Sequence, residues 1–263
     1  MSLVFSAIAP HPPILIPNIG KGEAAKVKKT QEALNLLEQD LYIAKPQIIL
    51  IISPHGSFFA DAFSVNAHTN FCSSFEQFGD FSTKNEWKGS PDLGAKIAHK
   101  AKDEKIPVQL ISEEHLDHGA CVPLHFLTTH LPDIKILPIG YSALDRKKHL
   151  RFGELLKEAV MESDKRIAVI ASGDLSHALK TEAPCGFHKD GGIFDKKLIE
   201  LLENNNIPGI IQMNDDLVDN AKECGFRSFL LLLGIIKNMN FVFKNHSYEA
   251  PFGVGYLVGN FVF

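Results

Sequence analysis

Positive charge is in short supply in this chain, and that excludes a first class of partner. Lys and Arg total 27 against 31 Asp and Glu, for a formal net charge of -4. There is no long basic run, so nucleic acid is not an expected partner. Cysteine is scarcer still. The four residues Cys72, Cys121, Cys185 and Cys224 form no CxxC pair, which argues against a zinc ribbon, a thioredoxin-like motif or a disulfide framework. Long hydrophobic runs are missing as well. The apolar stretch Phe229–Ile236 is far short of the ~18 residues that suggest a membrane span, and it fits a buried helix. The opening MSLVFSAIAPHPP lacks a basic n-region and reads as a first strand rather than a signal peptide. A cytoplasmic protein that needs no membrane is expected.

What the chain does contain is alternation. Apolar runs rich in β-branched residues occur at Leu3–Ala9, Gln47–Ser53, Val108–Ser112, Ile134–Gly140, Arg166–Ser172 and Val254–Phe263. The first five are bounded by Pro, Gly, Ser or charged residues, as buried strands are. Between them, Glu23–Leu41, Leu93–Lys102, Lys147–Glu162 and Phe194–Leu202 carry apolar residues at helical spacing. Strands that alternate with helices predict an α/β fold, and near-continuous apolar strands predict a sheet covered on both faces. No repeat, low-complexity tract or linker divides the chain, so residues 1–263 are expected to form a single domain. The segment Ser57–Trp87 is irregular and holds Phe58, Phe59, Phe63, Phe71, Phe75, Phe78, Phe81 and Trp87; it reads as a hairpin or insertion near a site. The apolar C-terminal stretch Leu257–Phe263 suits a central strand or a contact in a homo-oligomer.

Polar residues follow the strands at once. Leu3–Ala9 runs into Pro10-His11-Pro12-Pro13, Gln47–Ser53 into Pro54-His55-Gly56, and Arg166–Ser172 into Gly173-Asp174-Leu175-Ser176-His177. Val108–Ser112 leads to Asp117-His118-Gly119-Ala120. Ligands of open α/β sheets bind beyond the carboxyl ends of the strands. If these strands are parallel neighbours, His11, His55, His118 and His177 meet in one crevice. Imidazole can ligate a metal through one nitrogen while a second-shell acceptor orients the other, and Asp117 and Asp174 are candidate orienters. A single histidine with such neighbours is usually a surface or hydrogen-bonded residue; it is the repetition that carries weight. Two imidazoles leave a divalent ion under-coordinated, and a carboxylate would complete the facial triad of non-haem Fe(II). Glu223, just ahead of Phe229–Ile236, is available. By spacing alone, the plainer reading of Glu223 is a favourable charge at a helix N-terminus.

At these residues the chain resembles the class III extradiol ring-cleavage dioxygenases, the LigB-like superfamily that also contains the Memo-like proteins. The anchors are APHPP at Ala9–Pro13, SPHG at Ser53–Gly56, DHGACVPL at Asp117–Leu124, SGDLSH at Ser172–His177, ECGFRSF at Glu223–Phe229 and YEAPFGVGY at Tyr248–Tyr256. The resemblance runs over most of the chain and implies a mixed central sheet with helices on both faces. It implies Fe(II) held by His11, His55 and Glu223, an acid/base role for His177, and a substrate-pocket role for His118 beside Asp117. The substrates implied are a small catecholic or aminophenolic ring and O2. Cys224 is the alternative ligand, because Memo-like proteins place a cysteine beside the histidines of their equivalent site, and a thiolate would favour copper. The final motif resembles the stand-alone branch of the superfamily found with partners of the Memo type. Two readings therefore stand beside ring cleavage: a Memo-like redox or partner-binding protein, and a hydrolase in which the same histidines hold Zn(II) and activate water.

Overall fold

A strand buried on both faces must be apolar at every position, and three such runs form the middle of the sheet. The computed structural model describes residues 2–263. Its strands are β1 (Leu3–Ala9), β2 (Ile48–Ser53), β3 (Phe63–Asn66), β4 (Asn70–Ser73), β5 (Glu86–Gly89), β6 (Val108–Ile111), β7 (His115–Leu116), β8 (Lys135–Gly140), β9 (Ile167–Ser172), β10 (Val242–Glu249) and β11 (Tyr256–Val262). The helices are α1 (Pro17–Gly20), α2 (Lys28–Ala44), α3 (Pro91–Asp103), α4 (His118–Leu127), α5 (Arg146–Met161), α6 (Lys189–Glu203), α7 (Ile207–Ile211), α8 (Asp215–Ala221) and α9 (Phe226–Ile235). The strands form one sheet in the order β10-β11-β1-β9-β2-β8-β5-β4-β7, with β3 joined to β8 and carrying β6. The core strands β1, β9, β2 and β8 run parallel, while β11 and β10 add on antiparallel. The sheet is mixed, as expected.

The two faces feed two separate cores. Ile48, Leu50 and Ile52 of β2 point into one, packed with Phe152 and Leu155 of α5 and Phe229 of α9; Ile49 and Ile51 point into the other, with Leu34 and Leu37 of α2 and Leu124 of α4. That division is the period of two of a β-strand, written in residues that are all apolar and therefore invisible as alternation. Helices cover both faces, as the apolar runs predicted.

Several local expectations are revised. The first long helix begins at Lys28, not Glu23, because Lys21–Val27 winds as a 3-10 stretch. The amide of Thr30 in its first turn is taken by the Glu249 carboxylate (2.8 Å), a tertiary contact that no local signal announces. The Val108 run is not a core strand: β6 is half-exposed and pairs only with β3. Segment 57–87 supplies three short strands, with Phe71, Phe75 and Trp87 buried and Phe58 and Phe81 exposed. The C-terminal run is an internal strand, β11, and the edge next to it is β10, whose polar sequence VFKNHSYE hid it.

Phe152 is fully buried and stacked on Phe63, with centroids 4.3 Å apart. Phe152→Ala is expected to destabilise the fold by ~3–5 kcal/mol, read as a lower urea midpoint. Metal binding under native conditions should be unchanged, because the substitution lies in the helix layer rather than at the strand ends.

Candidate metal centre

The core strands end level with one another. Ala9 of β1 pairs with Ser172 of β9, and Ser53 of β2 pairs with Gly140 of β8; Ile52 pairs with Ala171, which sets Ser53 beside Ser172. Two residues beyond each of three such ends stand His11, Asp174 and His55. Equal spacing from a level row is what brings them together.

Nε2 of His11 and Nε2 of His55 face each other at 3.0 Å. His118 stacks on His55 (centroids 4.4 Å, 18° between planes) and meets His11 edge-on at 5.4 Å. One nitrogen from each of His11, His55 and His118 lies within 4.8 Å of the others. His118 arrives by a different route from the other two. It is the first residue of α4, and Asp117 caps that helix by accepting the Ala120 amide (3.1 Å) and the Ser53 hydroxyl (2.5 Å). Asp117 is thereby a brace between β2 and α4.

The hydrogen bonds fix the tautomer of His11. The Ser172 hydroxyl has one proton, and it donates it to the Gly119 carbonyl (2.5 Å). Its contact with His11 Nδ1 (2.9 Å) must then be accepted from an Nδ1–H. Nε2 is left with a bare lone pair aimed at His55, which is the ligating tautomer with its second-shell acceptor in place. Two ligands at right angles, each ~2.1 Å from a shared ion, stand ~3 Å apart, which is the His11–His55 spacing. The residues present fit a metal ion.

Electrostatics point the same way. Burial, reinforced by the neighbouring His55, His118 and His177, holds His11 well below the usual imidazole range. Burial, with His55 adding to it, brings His118 down to about 4, and burial also lowers His55 against the pull of Asp117. All three rings are therefore neutral near pH 7. Asp174 lies 3.9 Å from His11 Nε2, but His11 is uncharged and burial pushes the Asp174 carboxyl up to about 7, so this is not a conventional ion pair. What Asp174 does is accept the His11 main-chain amide (2.9 Å), holding the loop after β1.

Glu223 does not join this group. Its side chain turns away and accepts the Phe226 amide at the start of α9 (2.5 Å), and it lines a separate cavity with Arg146, His149 and Arg227. Burial raises its carboxyl to about 7. The residue that turns inward is Cys224, with Sγ 3.6 Å from His11 Nε2 and accepting the Asp174 amide (3.3 Å). Burial holds its thiol well above the ordinary value. The backbones cross closely here: a Cβ on Gly173 would stand 2.1 Å from the Gly225 Cα, so the SGDLSH and ECGFRSF segments can touch only as glycines.

His177 lies on the loop after β9. Its Nδ1 is buried with no hydrogen-bond partner. Burial lowers its pKa, and the carbonyls of Leu175 and Lys222 oppose that shift. A cavity of about 770 Å³ opens beside His55 and His118 and is lined by these two with Ser53, Asn66, Glu113 and Asp117 among others; Phe78 stands edge-on to His118 at 5.3 Å. Residues the sequence reading did not single out are the buried Ser53 and Ser172. Their signal was present: each is the lone polar residue closing an apolar strand.

Residues 6–259 match the family described as the catalytic LigB subunit of aromatic ring-opening dioxygenase. The chain belongs to the LigB family. Among LigB-like relatives, a Clostridium acetobutylicum protein is 36% identical over 97% of this chain, and the chain spans 57% of the length of that relative. The 4,5-DOPA dioxygenase extradiol of Mirabilis jalapa is 24% identical over 89% of this chain and 90% of its own length. A MEMO1 family protein of Methanosarcina barkeri is 29% identical over 58% of this chain and 56% of its own. The crystal structure of an uncharacterized Escherichia coli K12 protein superimposes with a TM-score of 0.66 at 16% identity, covering 99% of this chain and 100% of that one. Among the described residues, no helix of this LigB protein is long and apolar enough to cross a membrane.

Imidazoles with lowered pKa values bind protons weakly, so protons compete poorly for the site. Zn(II) affinity is expected to stay level from pH 7 to below 6.5, where free imidazole would already be lost to protonation. It should fall once the pH passes through the lowered range of these imidazoles, His118 taking up its proton at about 4. Competition with a chromophoric chelator across that range checks this, and a loss centred near 6.5 would contradict it.

Proposed function

We propose that this LigB protein is an Fe(II)-dependent extradiol-type dioxygenase that opens a catecholic or aminophenolic ring with O2. The observation that supports it most is the convergence of His11, His55 and His118, with donor atoms within 4.8 Å, of which His55 and His118 line a cavity large enough for one aromatic ring. Relatives named for dioxygenase activity on such rings share the family.

His11 and His55 would hold the metal, with His118 as the third donor. His118 is preferred to Cys224 because the imidazole is neutral with a free lone pair near pH 7, whereas the thiol must first lose a proton that its burial retains. His118 then takes the place that the family resemblance assigns to Glu223, whose carboxylate is engaged at the α9 N-terminus. Fe(II), when bound, supplies a Lewis acid and a template for two adjacent substrate oxygens and O2. The chain does the rest. His177, uncharged, accepts a proton from a substrate hydroxyl and can return it. Asp117 keeps His118 in place through α4, and Phe78 limits water beside it.

Cys224 favours one second reading. With Sγ 3.6 Å from His11 Nε2, a softer ion such as copper would draw out the thiolate, giving a Memo-like redox or binding site without ring cleavage.

Anaerobic loading with Fe(II), followed by oxygen uptake against a panel of catechols and aminophenols, tests the proposal. Stoichiometric uptake is expected. His11→Ala should lose both iron and uptake, and His177→Ala should keep iron while slowing turnover by roughly 10²–10⁴-fold. An iron-loaded protein that consumes no oxygen with any member of the panel overturns the reading. Tight copper binding that is abolished by Cys224→Ser would then support the second.

A further inference from the structure

His177 has no side chain to aim it. Its Nδ1 is buried and unpartnered, whereas an acid/base histidine is ordinarily oriented by a third group. Its direction is then set by main chain: the Leu175 and Lys222 carbonyls that face the ring and the backbone that carries it. That backbone is held from three sides. The Leu175 amide donates to the Gly255 carbonyl (2.8 Å), and the Gly255 amide donates to the Ser176 carbonyl (2.9 Å). The His177 amide donates to the Ala221 carbonyl (3.0 Å), as does the Ser176 hydroxyl (2.9 Å). The Leu179 amide donates to the Gly253 carbonyl (3.1 Å).

One side chain lies at the centre of this arrangement. Asp195 of α6 is 1% exposed. Its Oδ1 accepts the Ser176 amide (2.8 Å), and its Oδ2 accepts the Tyr248 hydroxyl (2.6 Å). A Cβ on Gly255 would stand 2.2 Å from that Oδ2, so the strap from Tyr248 to Tyr256 presses directly on the carboxylate. No salt bridge compensates Asp195 among the described residues. A carboxylate buried with only two donors is costly, and a stable fold could have used an apolar residue there. What the carboxylate does that an apolar residue cannot is fasten the amide immediately before His177.

We infer that Asp195 and Tyr248 are positioning residues for His177, and that the Tyr248–Tyr256 strap serves to aim this imidazole at the metal centre. The inference rests on the proposed proton-handling role of His177, but its first test does not depend on turnover.

That test is ¹⁵N-histidine NMR of the Zn(II)-loaded protein, comparing wild type with Tyr248→Phe and Asp195→Ala. Loss of the clamp is expected to change the tautomer balance and titration midpoint of His177 while the resonances of His11 and His55 stay in place and one Zn(II) remains bound. Unchanged His177 resonances in both variants overturn the inference, whatever the activity. The second test is oxygen uptake by the Fe(II)-loaded protein. Tyr248→Phe should lower kcat by roughly 10- to 100-fold, the scale of a small misplacement, with KM little altered. In a His177→Ala background it should cause no further loss; an additive loss there also overturns the inference. Asp195→Asn keeps an oxygen for the Ser176 amide and should restore much of what Asp195→Ala loses. Shifted His177 resonances in a protein that never consumes oxygen would support the clamp and refute the dioxygenase reading alone.

Discussion

Everything at the metal centre depends on the level ending of parallel strands β1, β9 and β2. Once Ala9, Ser172 and Ser53 stand in one row, the residues two places further on are forced into one volume. The sheet is rigid because it is buried on both faces, so the row is a fixed platform. Hydrogen bonding then sets the direction of each side chain: Ser172 selects the tautomer of His11, and Asp117 ties α4 to the end of β2.

Burial does the electrochemical work. It removes the charge from His11, His55 and His118 and so leaves lone pairs where protons would otherwise sit. The same burial raises Asp174, Asp195 and Glu223. What favours a cation at His11, His55 and His118 is the set of three neutral donors close to one another, which can replace the water a metal ion would lose on burial. The cavity beside it is lined mainly by polar residues, and Phe78 stands edge-on to His118.

The neighbouring residues Glu223 and Cys224 show where reading by motif reaches its end. Both stand in ECGFRSF, and either could serve a metal. The start of α9 decides between them, because its exposed amides need an acceptor and the Glu223 carboxylate supplies one for Phe226. With Glu223 turned outward, Cys224 faces His11. The bland reading of Glu223 as a helix-end charge describes its place in the structure.

The sequence by itself determined the α/β class, the central strands and the histidines that follow them, because long β-branched runs bounded by Pro and Gly are local properties of the chain. It also brought out His11, His55 and His118, whose ring nitrogens lie within 4.8 Å of one another. It could not show β10, whose polar edge-strand pattern lacks apolar periodicity, nor that the Val108 run is peripheral, since that depends on which strand accepts it as a neighbour. Tertiary structure alone decided the tautomer of His11, the outward turn of Glu223, the inward turn of Cys224 and the attachment of Asp195 to the loop of His177. Apart from the Glu223 turn, which is a local bond to the Phe226 amide at the start of α9, each of these is a hydrogen bond or close contact between segments distant in the chain, and such contacts exist only after the sheet has brought the segments together.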